Sequence, residues 1–513
     1  MNGAESLVAT LVESGVEVCF ANPGTSELHL VAALDRVPGM RCVLCLFEGG
    51  ATGAADAYAR MTGKPAAVLL HLGPGLANGW ANLHNARRAH APVINVVGEH
   101  ATYHMEFDAP LTSDIQSVAG GVSAHVETVA TAAELGAAGA RAVAAARSGM
   151  GQIATVIVHA DAAWTDGGVK APPVAPEPPA PVPEDRIDAA VAALEAGNAM
   201  ILAGNLAVRK EALILAAAIA AKTGARIATI GRNPRLERGA GTARTERLPN
   251  PAGPQTKALK DIRNLILVGE TDPVAFFGHP DRPSRTTSPE CAILQLADIH
   301  DDALGALKAL AGRVGATAAD APLEPHDPPA LPEGKLTPDT VAAVVGALLP
   351  ENAVVADESI TVGRSMFAAT RAAAPHDWIH LTGGAIGAGI PMATGAAVAC
   401  PGRKVINLQA DGSGMYTLQA LWTQAREDLD VLTIVWSNRT YKILKDELAN
   451  VGLPNPGPTA LGMLDLGNPP LDWPSLARGM GVEGRRVDTV EAFIDAFRDF
   501  VEVKGPRLIE VAL

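Results

Sequence analysis

The residues with the clearest chemical potential lie in the stretch Lys404-Val-Ile-Asn-Leu-Gln-Ala-Asp-Gly-Ser-Gly-Met-Tyr416. An apolar, β-branched run ends near Ala410, Asp411 follows, and Gly412-Ser413-Gly414 leads into a helical pattern over about Met415–Glu427. A second run, Leu432–Trp436, ends in Ser437-Asn438. Ligands of open α/β sheets bind beyond the carboxyl ends of strands, and a strand–helix–strand unit sets two such ends side by side. Asp411 and Asn438 can therefore converge although 27 residues separate them. A carboxylate and an amide oxygen are hard ligands suited to Mg2+, which takes its remaining ligands from phosphate and water. The free N–H groups of Gly412 and Ser413 at a helix start would add a positive dipole end for phosphate oxygens. Taken alone, Asp-Gly-Ser is also a common turn and N-cap sequence. The second ligand at a matching strand end raises it above that.

An Asp-Gly followed at this distance by an Asn resembles the cofactor signature of the thiamine-diphosphate enzymes. The sequence departs from the family pattern at Ala410, where Gly is usual, and at Ser437, where a second Asn is common; neither change removes a metal ligand. The resemblance implies that Asp411, Asn438 and the backbone carbonyl of Thr440 hold Mg2+. It also implies that Gly412, Ser413, Asn438 and Tyr441 contact the cofactor, with Thr361 of the loop Asp357-Glu-Ser-Ile-Thr361 as a further phosphate contact. Such enzymes need a carboxylate against the aminopyrimidine ring of the cofactor, and Val43-Leu-Cys-Leu-Phe-Glu48-Gly-Gly-Ala-Thr-Gly has the form of the segment that supplies it. Glu48 ends an apolar run, where an unpaired carboxylate is costly to bury. Its plain alternative is an acid capping the next helix. In His380-Leu-Thr-Gly-Gly-Ala-Ile-Gly-Ala-Gly-Ile-Pro391, Ile386 matches the apolar wedge that bends the cofactor, and Gly384 the carbonyl that receives its 4′-amino group.

The resemblance spans essentially the whole chain, in the domain order of the acetolactate synthase, pyruvate oxidase and benzoylformate decarboxylase group. In that group the cofactor adds to a 2-oxo acid carbonyl and CO2 leaves. The remaining carbanion, held as an enamine, is protonated to an aldehyde or adds to a second carbonyl. Asn22-Pro-Gly-Thr-Ser-Glu27 is similar to the benzoylformate decarboxylase loop that carries an active-site hydroxyl, which places Thr25 in that role. His71, before Gly73-Pro-Gly75, matches one of that enzyme's two catalytic histidines. The second is matched more loosely by His279 in Val274-Ala-Phe-Phe-Gly-His279. A surface or capping histidine is the alternative for both. The charged segment Tyr441-Lys-Ile-Leu-Lys-Asp-Glu447 stands where benzoylformate decarboxylase is more aromatic, so an aryl substrate is not implied.

Acetolactate synthases carry a Lys in the first domain where this chain has Ser123-Ala-His125, and their central domain holds FAD. FAD is not expected here: Gly239-Ala-Gly241 follows Arg-Leu-Glu-Arg, outside the strand context of a dinucleotide fingerprint. The adjacent His-His pair of pyruvate and indolepyruvate decarboxylases is replaced by Leu83-His84-Asn85. The expected activity is a thiamine-diphosphate- and Mg2+-dependent 2-oxo acid decarboxylase or carboligase of the benzoylformate decarboxylase kind. The alternatives are an acetolactate synthase catalytic subunit and a non-decarboxylating carbon–carbon lyase of the same superfamily. A nicotinamide oxidoreductase lacks its Gly-x-Gly-x-x-Gly here, and a binding-only protein would not need Glu48.

These residues must be positioned by layered α/β domains. A chain of 513 residues is too long for one core. Proline-rich stretches at 169–184 and 322–338 divide it into a pyrimidine-binding domain (1–168), a central domain (185–321) and a diphosphate-binding domain (339–513), joined by linkers. Each alternates short β-branched runs with Ala-rich helical patterns, the mark of parallel sheets flanked by helices. Strands are expected at Ala66–Leu70, Val93–Val97, Thr155–Val158, Met200–Ala203, Leu265–Val268, Ala292–Leu296, Ala353–Ala356, Val405–Leu408, Leu432–Val435 and Leu508–Val511. A net charge of −14 argues against a nucleic-acid surface, which needs clustered Lys and Arg. The five cysteines sit in apolar runs and are expected to be buried and structural; Cys42 and Cys45 would face opposite sides of a strand. The N-terminal segment begins as a helix with no signal-peptide pattern, and there is no long apolar run, so a cytoplasmic protein without a membrane span is expected. The family resemblance implies a homodimer as the minimal active unit, with Glu48 and the metal ligands on different subunits, and a homotetramer as the assembly.

Overall fold

The computed structural model describes residues 1–280 and 282–513. The β-branched runs of the first segment form β1 (Val18–Ala21), β2 (Arg41–Leu44), β3 (Ala66–Leu70), β4 (Val93–Glu99), β5 (His125–Val129) and β6 (Ile153–His159). They pair in the order β2-β1-β3-β4-β6-β5, all parallel. The chain leaves β1 for β2 on one side and for β3 on the other. The carboxyl ends of β1 and β3 therefore flank a topological switch point, where helices diverge and leave a crevice.

The middle segment contributes β7 (Ala199–Ala203), β8 (Arg226–Thr229), β9 (Leu236–Arg238), β10 (Glu246–Arg247), β11 (Asn264–Val268) and β12 (Ala292–Ala297). All but β9 build a parallel sheet of order β10-β8-β7-β11-β12. The last segment forms β13 (Val354–Glu358), β14 (His376–His380), β15 (Val405–Ala410), β16 (Val431–Ser437), β17 (Glu483–Val487) and β18 (Arg507–Ala512). Their order is β17-β18-β16-β15-β13-β14, and β9 adds antiparallel at the β14 edge. Renumbered from its own first strand, this sheet repeats the order of the first one. Its switch point lies between β13 and β15.

The first and third sheets meet through one core. The helix Glu48–Thr62 is buried along nearly its whole length and packs on the helix Gly389–Ala399. Small residues permit this approach: a Cβ on Gly395 would collide with the Ala54 carbonyl. Helices this close share one hydrophobic cluster, with Val68, Leu83, Met392 and Ile379 among its members.

Three sequence expectations need correction. The helix expected over Met415–Glu427 is broken: a single turn spans Asp411–Gly414, and a helix resumes only at Ala420–Arg426. The first turn thus starts on Asp411 itself. Cys42 is exposed, since β2 is an edge strand and only Cys45 turns into the core. Gly239 does follow a strand, β9, but the next regular element is β10 and not a helix, so the dinucleotide context is still missing. No described helix is long and apolar enough to cross a membrane.

Candidate active site at two switch points

At the third-sheet switch point, Asp411 follows β15 and is buried. Its Oδ2 accepts the Arg439 N–H at 2.7 Å and its Oδ1 the Gly412 N–H at 2.9 Å. The loop after β16 therefore comes to the carboxylate. There Asn438 Oδ1 accepts the Thr440 N–H at 3.1 Å, and Thr440 Oγ1 donates to the Leu464 carbonyl at 2.7 Å. The Thr440 carbonyl accepts the Lys442 N–H at 2.9 Å, which leaves it one lone pair. Burial pushes the Asp411 carboxyl up, and the N–H donors of Arg439 and Gly412 pull it back. No described Lys or Arg pairs with it. A buried carboxylate beside an amide oxygen is a donor set that fits a hard divalent cation. Ser413 Oγ is committed to Gln409 Oε1 at 3.1 Å, and the Tyr441 ring packs on Gly412.

Across the crevice, β13 ends in Glu358, a buried carboxylate that receives four donors. Oε1 accepts the N–H groups of Gly387 (2.7 Å) and Ala388 (3.1 Å); Oε2 accepts Gly389 N–H (2.8 Å) and Gln409 Nε2 (3.0 Å). Burial pushes this carboxyl up, against those N–H groups. Four donors and no acceptor for a proton of its own favour the ionised form. Glu358 thereby staples the backbone next to Ile386. On the other side, Asn85 Nδ2 donates to the Ala385 carbonyl at 2.8 Å, so the half-buried Ile386 is clamped at both neighbours. Gly384 has φ +80° and lies against Phe276: a Cβ there would be 2.8 Å from the ring's Cζ. Thr361, half-buried, starts the turn after Glu358.

The loop carrying Phe276 also carries His279, whose Nε2 is 3.1 Å from Glu447 Oε2 on the helix Lys442–Asn450. Among the described residues its buried Nδ1 has no partner. His279, Gly384, Ile386, Thr361, Asp411, Asn438, Thr440 and Tyr441 are thus grouped around one sheet end.

At the first-sheet switch point, Glu48 opens its helix and is buried, with Asn78 Nδ2 donating to Oε2 at 3.1 Å. His71 caps the helix that follows β3. A Cβ on Gly75 would lie 3.3 Å from both Glu48 Oε1 and His71 Cβ, so the two side chains share one corner. His71 Nδ1 is 2.8 Å from Oε2 of Glu27, which follows β1. The hydroxyl beside His71 is that of Ser26, at 3.2 Å; Thr25 is exposed. Within one chain, no described hydrogen bond or ion pair joins the Glu48 carboxylate to the Asp411 loop. Asn82 bridges the two corners: its Nδ2 donates to Gly49 O at 2.7 Å and Gly387 O at 3.2 Å.

Glu27, Ser26, Glu358 and Asn82 are the site residues that sequence reading passed over. The available signal was an acid close to each chosen residue: Glu27 two positions after Thr25, and Glu358 after the apolar run of β13.

The family model for the N-terminal TPP binding domain of thiamine pyrophosphate enzymes matches residues 1–118, and that for the C-terminal TPP binding domain matches residues 361–511. The Mycobacterium tuberculosis protein named "Putative acetolactate synthase large subunit IlvX" is 52% identical over 100% of this chain and 99% of its own. The chain belongs to the thiamine pyrophosphate enzyme family. Benzoylformate decarboxylase of Pseudomonas aeruginosa is 28% identical over 97% of this chain and 96% of its own. The fold is that of the thiamine diphosphate-dependent 4-hydroxybenzoylformate decarboxylase of Rhodococcus jostii RHA1, with a TM-score of 0.86 and 24% identity over 100% of this chain and 99% of that one. Thiamine diphosphate is accordingly the cofactor of this family member, and it is related to both decarboxylase and synthase branches. The residues at the two corners fit the group: a buried acid, Glu48, stands at one, and at the other the buried Asp411 carboxylate has backbone N–H partners and no Lys or Arg among the described residues.

Proposed function

We propose that this family member is a Mg2+-dependent 2-oxo acid decarboxylase or carboligase of the benzoylformate decarboxylase kind. One observation carries the reading: a histidine, His71, backed by a carboxylate, shares a corner with the buried acid Glu48. When bound, thiamine diphosphate supplies the carbon centre that attacks a 2-oxo acid and stores its electrons after CO2 leaves. Asp411, Asn438 and the Thr440 carbonyl would hold Mg2+ and, with Gly412, Ser413, Thr361 and Tyr441, the diphosphate. Ile386, fixed by Glu358 and Asn85, would support the bent cofactor, with the Gly384 carbonyl on its amino group. Glu48 would accept and return the proton at the aminopyrimidine ring. His71, with Thr25 and His279, would bind the substrate carboxylate or move a proton at the substrate oxygen, tasks suited to imidazole and hydroxyl groups.

We further infer that the working unit is at least a homodimer, in which Glu48 of one subunit meets the Asp411 loop of the other. The apolar side chains Leu46, Tyr103 and Phe107 beyond the first sheet, and Tyr416, Leu444 and Leu453 beyond the third, are all exposed after the carboxyl ends of strands. Apolar groups clustered at both sheet ends suit a covered surface.

Acetolactate synthesis is the second reading, favoured by the name of the 52% identical relative. Against it, His125 of the Ser123-Ala-His125 segment opens the edge strand β5 and pairs with Glu127, away from the switch point. The test is a panel of aliphatic and aryl 2-oxo acids with product analysis. Aldehyde or acyloin formation supports the proposal. Acetolactate from pyruvate as the sole product supports the second reading, and carbon–carbon cleavage without CO2 release would overturn both.

A further inference from the structure

We propose that Glu27 is a positioning residue that holds His71 with its Nδ1 hydrogen toward the protein and its Nε2 toward the crevice. This rests on the reading of His71 as an active-site group.

Glu27 is completely buried, at the end of the short turn Thr25–Glu27 that leaves β1. Its Oε2 accepts the Gly24 N–H at 2.9 Å and lies 2.8 Å from His71 Nδ1; its Oε1 accepts the Ser26 hydroxyl at 2.6 Å. No Lys or Arg is among its described partners, so His71 is the one side chain able to offset a buried negative charge. A carboxylate facing donors on every side can only accept, which puts the hydrogen on Nδ1. Nε2 then remains as the free nitrogen, and it makes no hydrogen bond among the described residues. The His71 side chain is 25% exposed while that of Glu27 is 0% exposed, so the open edge of the pair is the imidazole.

Shape as well as polarity holds the carboxylate in place. β4 passes beside it at Gly98, and a Cβ at that position would collide with Glu27 Oε1. The pair spans the carboxyl ends of β1 and β3, the two strands that flank the first switch point. An imidazole whose second nitrogen is tied to a carboxylate presents one defined tautomer and has a fixed counter-charge when it takes up a proton.

The test reads the tautomer directly, by nitrogen-15 NMR of the full-length protein labelled at histidine, with His71→Ala identifying the His71 signal. The wild type is expected to show the Nδ1–H form. In Glu27→Gln, whose amide can donate to Nδ1, the signal should shift toward the Nε2–H form. On any 2-oxo acid that is turned over, Glu27→Gln should lower kcat about 10–100-fold and leave KM within about twofold, with no further loss in the His71→Ala background. An Nε2–H tautomer in the wild type, or an unmoved signal and kcat in Glu27→Gln, overturns the proposal. The wild-type spectrum decides it even where Glu27→Gln does not fold. Full activity in His71→Ala would instead remove the active-site reading of His71, while the tautomer measurement still decides what Glu27 does.

Discussion

At the scale of single residues, the site depends on acids whose partners lie far away in sequence. Glu358 shows this best, with four donors from positions 387–389 and 409 on one buried carboxylate. Removing an acceptor strands its donors, at about 1–3 kcal/mol for each one left buried. Glu358→Ala should therefore lower stability by at least about 2 kcal/mol. It should also weaken thiamine diphosphate binding, because the backbone on either side of Ile386 loses its clamp. Denaturant unfolding and cofactor titration would check the two effects; unchanged cofactor affinity would mean that the loop holds its shape without Glu358. The same contact explains a limit of sequence reading. The placement of Asp411 and Asn438 at adjoining loops and of Glu48 at a buried helix start was legible because a residue type, a strand end and a spacing coincide. Glu358 was not, because an acid after an apolar run looks identical whether it faces solvent or the N–H groups of a loop some 30 residues later, and Glu27 was not, because its partner His71 lies beyond the next two strands. Of the two hydroxyls in the Thr25-Ser26 pair, only coordinates could show that Ser26 is the one beside His71.

At the scale of elements, continuous β-branched runs announced their strands, and β3 has the expected bounds. The strand β14 went unread because His376-Asp377-Trp378-Ile379-His380 is buried yet largely polar. Its acid is satisfied across the chain: Asp377 takes Arg235 Nε at 2.6 Å and an Arg403 nitrogen at 2.7 Å, and Arg238 of β9 lies over the Trp378 ring. Such burial is bought by non-local partners, which periodicity cannot register. The helix after Asp411 was misjudged for a related reason, since the interruption at 415–419 lies where Thr417 Oγ1 reaches out to the Gly387 carbonyl at 2.9 Å. The packing of Glu48–Thr62 on Gly389–Ala399 yields its own prediction. Gly395→Ala would force a methyl group onto the Ala54 backbone and should destabilise the protein by about 1–3 kcal/mol. Gly402→Ala is not an equivalent control, because Gly402 has φ +89°. Gly462→Ala is, having open space and ordinary φ. A Gly395→Ala variant as stable in thermal unfolding as Gly462→Ala would mean the two helices can part without cost.

At the scale of the whole molecule, the first and third sheets share one strand order, so the chain carries two equivalent switch points. One presents Glu48 and His71, the other Asp411, Asn438 and Ile386. The proposed dimer brings unlike crevices of two subunits together. Co-expressing Glu48→Gln and Asp411→Ala chains tests this without a structure of the complex. Random pairing makes half the dimers hybrid, and each hybrid has one intact site, so about a quarter of wild-type activity should return. If both groups serve one site within a single chain, mixing restores nothing above either parent.

In the proposed site the loops after β15 and β16 anchor thiamine diphosphate through a divalent cation on Asp411. Calorimetric titration of the cofactor into metal-stripped protein, with and without MgCl2, tests it most directly. Wild-type protein should bind only when Mg2+ is present, and Asp411→Ala should not bind under either condition. Equal affinity of Asp411→Ala and wild type, or wild-type binding that is indifferent to Mg2+, would rule out this anchoring.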